Sequence, residues 1–116
     1  MRVTPLPESM SSRKQPPNVL PLDGEIDLHV SPEVAESLKS MISKKPKKVV
    51  IDLTKVTYLD SSGLAVLIEG MQNVQEYGGR FRLAGVQDEV KQVFDIARLD
   101  QVFDIYPDVD TALADT

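Results

Sequence analysis

The sequence has no cysteine and no long apolar run, and each absence excludes a class of function. Without cysteine the chain cannot form a disulfide, a thiolate metal site or a cysteine nucleophile. Without an apolar run of about 18 residues or a signal-peptide core, we expect neither a membrane span nor export. Basic residues are also outnumbered, 13 against 18 acidic ones, which disfavours nucleic acid as a partner. These features predict a cytoplasmic protein that binds neither membrane nor nucleic acid.

The length of 116 residues fits one domain, preceded by a segment of different composition. Residues 1–18 contain four prolines and several serines, which remove backbone donors and add little apolar surface. We therefore predict a disordered tail over residues 1–18 and a folded domain over residues 19–116.

The folded part alternates strand-like and helix-like patterns. Short apolar runs predict strands at Val19–Leu22, Val49–Leu53, Phe81–Ala84 and Val102–Ile105. Gly24 is expected to bend the chain after the first strand, and Pro21 suggests an edge or irregular strand. Apolar residues at steps of three and four predict helices that begin at Ser31, Ser61, around Val90 and after Pro107. Alternation of this kind predicts an α/β fold with a small mixed sheet and helices mainly on one face.

The most informative stretch is the polar junction between the second strand and the second helix. Asp60 is suited to cap this helix, because its carboxylate can accept N–H groups of the first turn. Ser61 and Ser62 fall in that turn, where free N–H groups and the helix dipole favour negative charge. A phosphate on Ser61 would lie at the start of the helix.

Two enzymatic interpretations of this region have weak support. Ser61 could be a nucleophile with His29 as its base, but the surrounding residues lack the first glycine of a Gly-x-Ser-x-Gly elbow. Asp27, Asp52 and Asp60 could together bind a hard cation such as Mg²⁺, although a cap, a strand-end turn and a loop are simpler roles for them. No phosphate-binding loop motif occurs. We expect no catalytic residues, no metal and no cofactor.

A basic run follows the first predicted helix. It consists of Lys44, Lys45, Lys47 and Lys48. Such a run can be a phosphate-binding or targeting patch, but cations also favour the C-terminal end of a helix for electrostatic reasons. The second interpretation is the simpler one.

Several segments resemble the STAS domain of bacterial anti-sigma factor antagonists. They are Leu22–Asp27, Val50–Leu53, Val56–Leu59, Asp60–Leu64, Gly78–Gly85 and Val93–Leu99. The resemblance covers about Val19–Leu113 and implies a STAS fold with a sheet of four to five strands. The Asp-Ser-Ser-Gly element is its most specific part.

The resemblance implies a partner-switching mechanism that regulates transcription. An unphosphorylated antagonist binds an anti-sigma factor that is also a serine kinase, and phosphorylation of the antagonist releases it until a serine phosphatase resets the switch. By motif, the acceptor is Ser61 and the partner-binding residues are Asp27, Asp60, Ser61, Ser62 and Gly63, with Gly63 letting a partner approach the helix. ATP would be the kinase's substrate, and the chain itself is expected to be a monomer or weak dimer.

One departure and one alternative accompany this resemblance. The family usually opens with a strand that pairs with the Leu20 region, but here that stretch is rich in proline. Some STAS domains instead serve as subunits of lipid-transport ABC systems, without a phosphorylation switch. The intact serine after Asp60 favours the antagonist.

Overall fold

A computed structural model of the protein describes residues 18–114, in which strands and helices alternate regularly. The strands are β1 (Val19–Ile26), β2 (Lys48–Leu59), β3 (Arg80–Ala84) and β4 (Asp104–Tyr106). The helices are α1 (Ser31–Ile42), α2 (Ser61–Glu76), α3 (Asp88–Ile96) and α4 (Val109–Ala114). Apart from Asn18, the predicted tail lies outside these residues. No helix within residues 18–114 is long and apolar enough to cross a membrane.

The four strands form one sheet in the order β1-β2-β3-β4. All three pairings within the described residues are parallel, whereas a mixed sheet was expected. Parallel neighbours require a crossover connection, and α1, α2 and α3 each provide one. Every strand therefore ends at the same edge of the sheet, which brings together the loops that follow the strands. The predicted α/β class is confirmed.

Helices cover the sheet unequally. The main core lies on the face covered by α1, α2 and α3, and it contains the inward residues of β2 and β3. Its fully buried members include Val49, Ile51, Leu83, Val74 and Phe94. A smaller cluster on the other face places Ala112 of the short α4 against Val19, Val50 and Ala84. The prediction of helices mainly on one face agrees with this arrangement.

The first two strands are longer than the sequence predicted. Gly24 adopts a positive φ of 77°, but it produces irregularities in the pairing rather than ending the strand, so β1 continues to Ile26. The second strand continues through the polar Thr54 and Lys55 to Leu59, and this extension pairs with β1 at Lys55, Val56, Tyr58 and Leu59. The continuation aligns Ile26 with Leu59 and fixes the two loops that follow them side by side.

The start of α1 also differs from expectation. Ser31 was predicted to be the N-cap, but it is the first helical residue and is buried, and Val30 occupies the cap position without a side-chain bond. The free N–H groups are instead satisfied from outside the helix, because the carbonyl oxygen of Asp27 accepts from Val30 and Ser31. This transfers the capping role to the loop that carries Asp27.

Candidate functional site

The candidate site lies where β1 and β2 end. The backbone N–H of Asp60 donates to the carbonyl oxygen of Ile26 at 3.2 Å, which continues the strand pairing into the loops. Asp27, Leu28 and His29 follow β1, while Asp60 and Ser61 follow β2. Two separate segments of the chain thus form one surface at the C-terminal edge of the sheet.

Asp60 organises the start of α2. Its Oδ1 accepts from the backbone N–H of Ser62 at 2.9 Å, from that of Gly63 at 3.2 Å and from the Ser62 hydroxyl at 2.6 Å. The Ser62 hydroxyl is the main cause that holds the pKa of Asp60 below its ordinary value, with smaller contributions from the backbone N–H groups of Gly63, Ser62 and Leu28. Asp60 is therefore a stably ionised N-cap, as the sequence predicted.

Ser61 and Ser62 occupy different environments although they are neighbours. The Ser62 hydroxyl donates to Asp60, and its side chain is half-buried. Ser61 is exposed and takes no part in this network. It is also the first residue of α2. Among the helices within residues 18–114, α2 alone has no acidic residue in its first turn. The accessible hydroxyl of the pair is that of Ser61.

Gly63 has a packing role inside the protein. It is buried, and a Cβ atom at this position would lie 2.5 Å from Leu59 Cδ1 and 3.2 Å from the backbone oxygen of Ile26. The absent side chain therefore lets α2 approach the ends of β1 and β2. That Gly63 also lets a partner approach the start of the helix stays a prediction beside this packing role.

Asp27 fixes the shape of the neighbouring loop. Its Oδ1 accepts from the backbone N–H of His29 at 2.9 Å and from that of Val30 at 3.3 Å. The His29 ring is 93% exposed, and its Nδ1 lies 3.9 Å from Asp27 Oδ1. Among the described residues no hydrogen bond joins His29 to Ser61, so the geometry offers no activated serine nucleophile.

Asp52 belongs to another part of the molecule. It lies in the middle of β2, where its Oδ1 accepts from the backbone N–H and the hydroxyl of Thr54. Within residues 18–114 no group of three or more carboxylate or imidazole side chains could hold a metal ion. The three aspartates considered as a cluster from the sequence are thus separated by the fold, and only Asp27 and Asp60 remain on one surface.

This surface is strongly acidic. None of the loops that follow the four strands, at residues 27–30, 60, 85–87 and 107–108, contains a lysine or an arginine. Acidic residues stand in the first turns of three of the helices that start there: Glu33, Asp88, Glu89 and Asp110. We call this edge, with Asp27, Asp60 and Ser61, the acidic end of the sheet.

An apolar side chain interrupts the acidic end. Leu28 lies between Asp27 and His29 and is 69% exposed. Its one signal in the sequence is that of an apolar residue next to Asp27 and His29. Its backbone N–H lies close enough to the Asp60 carboxylate to help lower the pKa of that group.

The sequence is similar to proteins of a known family. The sequence matches the STAS domain family over residues 10–112. It is 33% identical over 82 residues to an anti-sigma-B factor antagonist of Listeria monocytogenes, covering 71% of this chain and 72% of that protein. The corresponding antagonist of Bacillus subtilis is 32% identical over 82 residues, covering 71% and 74%.

Solved structures have the same fold. An anti-sigma factor antagonist from Mycobacterium paratuberculosis superposes with a TM-score of 0.75 at 28% identity, covering 82% of this chain and 80% of that one. The parallel sheet, the capped serine turn and these relatives agree: the chain belongs to the STAS domain family and, within it, to the anti-sigma factor antagonists.

Proposed function

We propose that the protein is a cytoplasmic partner-switching antagonist whose binding to an anti-sigma factor is controlled by phosphorylation of Ser61. The observation that carries the proposal is the exposed Ser61 hydroxyl beside a neighbouring serine whose hydroxyl is already bonded to Asp60. A kinase that reaches this surface meets one available acceptor. The chain acts as a regulatory binding protein and not as an enzyme.

The partner surface is proposed to include Asp27, Asp60, Ser61 and Ser62. Gly63 belongs to this site through the helix position that it permits. A partner that covers this acidic end should present lysine or arginine around its contact, because complementary charge speeds encounter and fixes orientation. An anti-sigma factor with serine kinase activity is the proposed partner, and a serine phosphatase is proposed to reverse the modification.

Release after phosphorylation follows from local charge. A phosphate adds about 1.5 to 2 negative charges directly beside the ionised Asp60. The strand-end loops provide no lysine or arginine to neutralise it, so the dianion remains hydrated on the free protein. We propose that the partner's cations surround the contact and that none faces Ser61 itself, so docking would remove water from a phosphate that has no cation opposite it, which is costly. The N–H groups of Ser62 and Gly63 stay bonded to Asp60 and the phosphate points into water, so the fold need not change.

The test uses purified candidate anti-sigma factor kinases from the same organism, each incubated with ATP and the antagonist. Mass spectrometry should find one phosphate, on Ser61. Ser61→Ala should stay unmodified and remain bound, while Ser61→Asp should fold normally and bind at least tenfold more weakly. Ser62→Ala is the matched control, because it removes the neighbouring hydroxyl and should still be phosphorylated at Ser61.

Two results would contradict the proposal. One is phosphate mapped to Ser62 with Ser61 unmodified. The other is wild-type affinity in a folded Ser61→Asp variant, which would favour a STAS subunit without a phosphorylation switch.

A further inference from the structure

The exposed Leu28 side chain needs an explanation beyond its exposure. Single apolar residues are common on protein surfaces, and the described part of this chain has others: Tyr58, Ile96 and Val102. Leu28 differs from Ile96 and Val102 in position, because its loop is joined to the turn that carries Ser61, whereas Tyr58 lies within β2, two residues before Asp60. The hydrogen bond between Asp60 and Ile26 links the two segments immediately beside it.

The loop that carries Leu28 is held in a defined conformation. The Asp27 side chain accepts two backbone N–H groups, and its carbonyl oxygen accepts from Val30 at 3.1 Å and from Ser31 at 2.8 Å. Leu28 is therefore fixed between a strand end and a helix start. A side chain displayed on a fixed backbone loses less conformational entropy on binding than one on a flexible loop.

The surroundings of Leu28 have the composition of an interface centre with a polar rim. Asp27 directly precedes Leu28, Asp60 lies in the turn bonded to Ile26, and the exposed His29 and Ser61 add to the polar surroundings. A binding interface needs a central aromatic or aliphatic anchor that fills a pocket, while rim charges mainly provide orientation and association rate.

We propose that Leu28 is the apolar anchor by which the antagonist docks on the anti-sigma factor kinase. Leu28 enters a pocket on the kinase next to its active site. This pocket is lined by aliphatic side chains and bordered by lysine or arginine. Leu28 thus positions Ser61 for phosphorylation and supplies affinity that the acidic rim alone does not. This inference rests on the proposed function, because it assigns a specificity role at the same surface.

The experiment compares phosphorylation of Ser61 in wild type, Leu28→Ala, Leu28→Met and Ile96→Ala by the purified kinase. Burying a leucine side chain is worth about 1.5 to 3 kcal/mol, so Leu28→Ala should raise KM by about ten- to a hundredfold with little change in kcat. Leu28→Met should restore most of the affinity, because methionine fills apolar pockets adaptably. Ile96→Ala removes a side chain that is 84% exposed at the far end of α3 and should behave like wild type.

The outcomes separate this inference from the function on which it rests. Wild-type KM in Leu28→Ala, or an equal loss in Ile96→Ala, would overturn the anchor while leaving the Ser61 switch intact. Failure of the kinase to phosphorylate wild type at Ser61 would overturn both. Leu28 is exposed, so thermal melting of Leu28→Ala should match wild type and exclude loss of fold as the cause.

Discussion

The two ends of the sheet differ in charge and in how their residues are held. At the acidic end, carboxylates bond to backbone N–H groups in a packed turn, as Asp60 does. At the opposite end, α1 terminates near a group of exposed cations, Lys39, Lys44, Lys45 and Lys47. We call this group the basic end. Acids at helix starts and cations at helix ends both complement the helix dipole, so charge alone does not identify a functional surface.

What distinguishes the two ends is the structural role of their charges. The side chain of Lys48 donates to the carbonyl oxygen of Leu113 near the end of α4, which is a structural contact. Asp60 also caps a helix, but it does so beside an accessible hydroxyl and an exposed leucine. Function is therefore expected where a capping network leaves reactive or apolar groups exposed, and not where charge is simply dense.

The largest expected effect comes from disturbing the packing under the acidic end. Gly63→Val places a branched side chain against Leu59 and the backbone of Ile26, so we expect a loss of about 3 kcal/mol in the free energy of unfolding. Urea unfolding measures it. Ala65→Val, at an exposed position of the same helix, is the control for β-branching and should cost under about 1 kcal/mol. Equal losses in the two variants would show that α2 does not need the close approach.

A smaller effect is expected when charges at the two ends are neutralised in turn. Asp27→Asn keeps an acceptor for His29 and Val30 but removes the charge, and it should slow association with the kinase about three- to tenfold at low salt. Lys47→Gln at the basic end should leave the rate within about twofold. Stopped-flow association at two ionic strengths checks both. A larger loss for Lys47→Gln would move the interface to the opposite end.

The pKa of Asp60 predicts a pH dependence of stability. Because its folded pKa lies below the unfolded value of about 3.9, the stabilisation is complete above that value and is lost as pH falls through the folded pKa. Asp60→Asn should therefore be less stable than wild type at pH 7, and the difference should shrink below about pH 4. Denaturant titrations at pH 7 and pH 3 test the sign. An unchanged difference would mean that the ionised carboxylate contributes nothing.

The smallest effect is expected at the basic end. Lys45 has a positive φ of 51°, a conformation that costs a non-glycine residue about 1 kcal/mol. Lys45→Gly should therefore stabilise the fold by up to about 1 kcal/mol, while Lys47→Gly should give no gain. Thermal melting compares them. Kinase binding should be unchanged in Lys45→Gly. A clear loss of binding would indicate that the basic end, and not only the acidic end, contacts the kinase.

Most of the fold followed from residue patterns, because apolar periodicity and capping residues act locally. Asp60 as N-cap and the helix from Ser61 were predicted on these grounds and are confirmed. The lengths of β1 and β2 were not, since Gly24 and Lys55 are poor local strand signals and lie in strands through the pairing of β1 with β2. The cap of α1 was misassigned to Ser31 because the acceptor, Asp27, lies outside the helix.

The site was partly predictable for the same reason. The Asp-Ser-Ser-Gly element is contiguous, so Ser61 could be proposed from sequence. The joining of Leu28 to Asp60 depends on the alignment of Ile26 with Leu59, which no local pattern encodes. The internal packing of Gly63 against those two residues was hidden for the same reason.

The sequential strand order has a consequence for local opening of the molecule. The final strand has three residues, none of them fully buried, and it pairs only with β3 in the described sheet. The proposed switch residue, Ser61, follows β2, and β3 lies between β2 and that edge. Segments with little buried surface open first, so β4 is expected to exchange its amide hydrogens early while the serine turn stays protected. Local opening at the β4 edge of the sheet should thus leave the acidic end undisturbed.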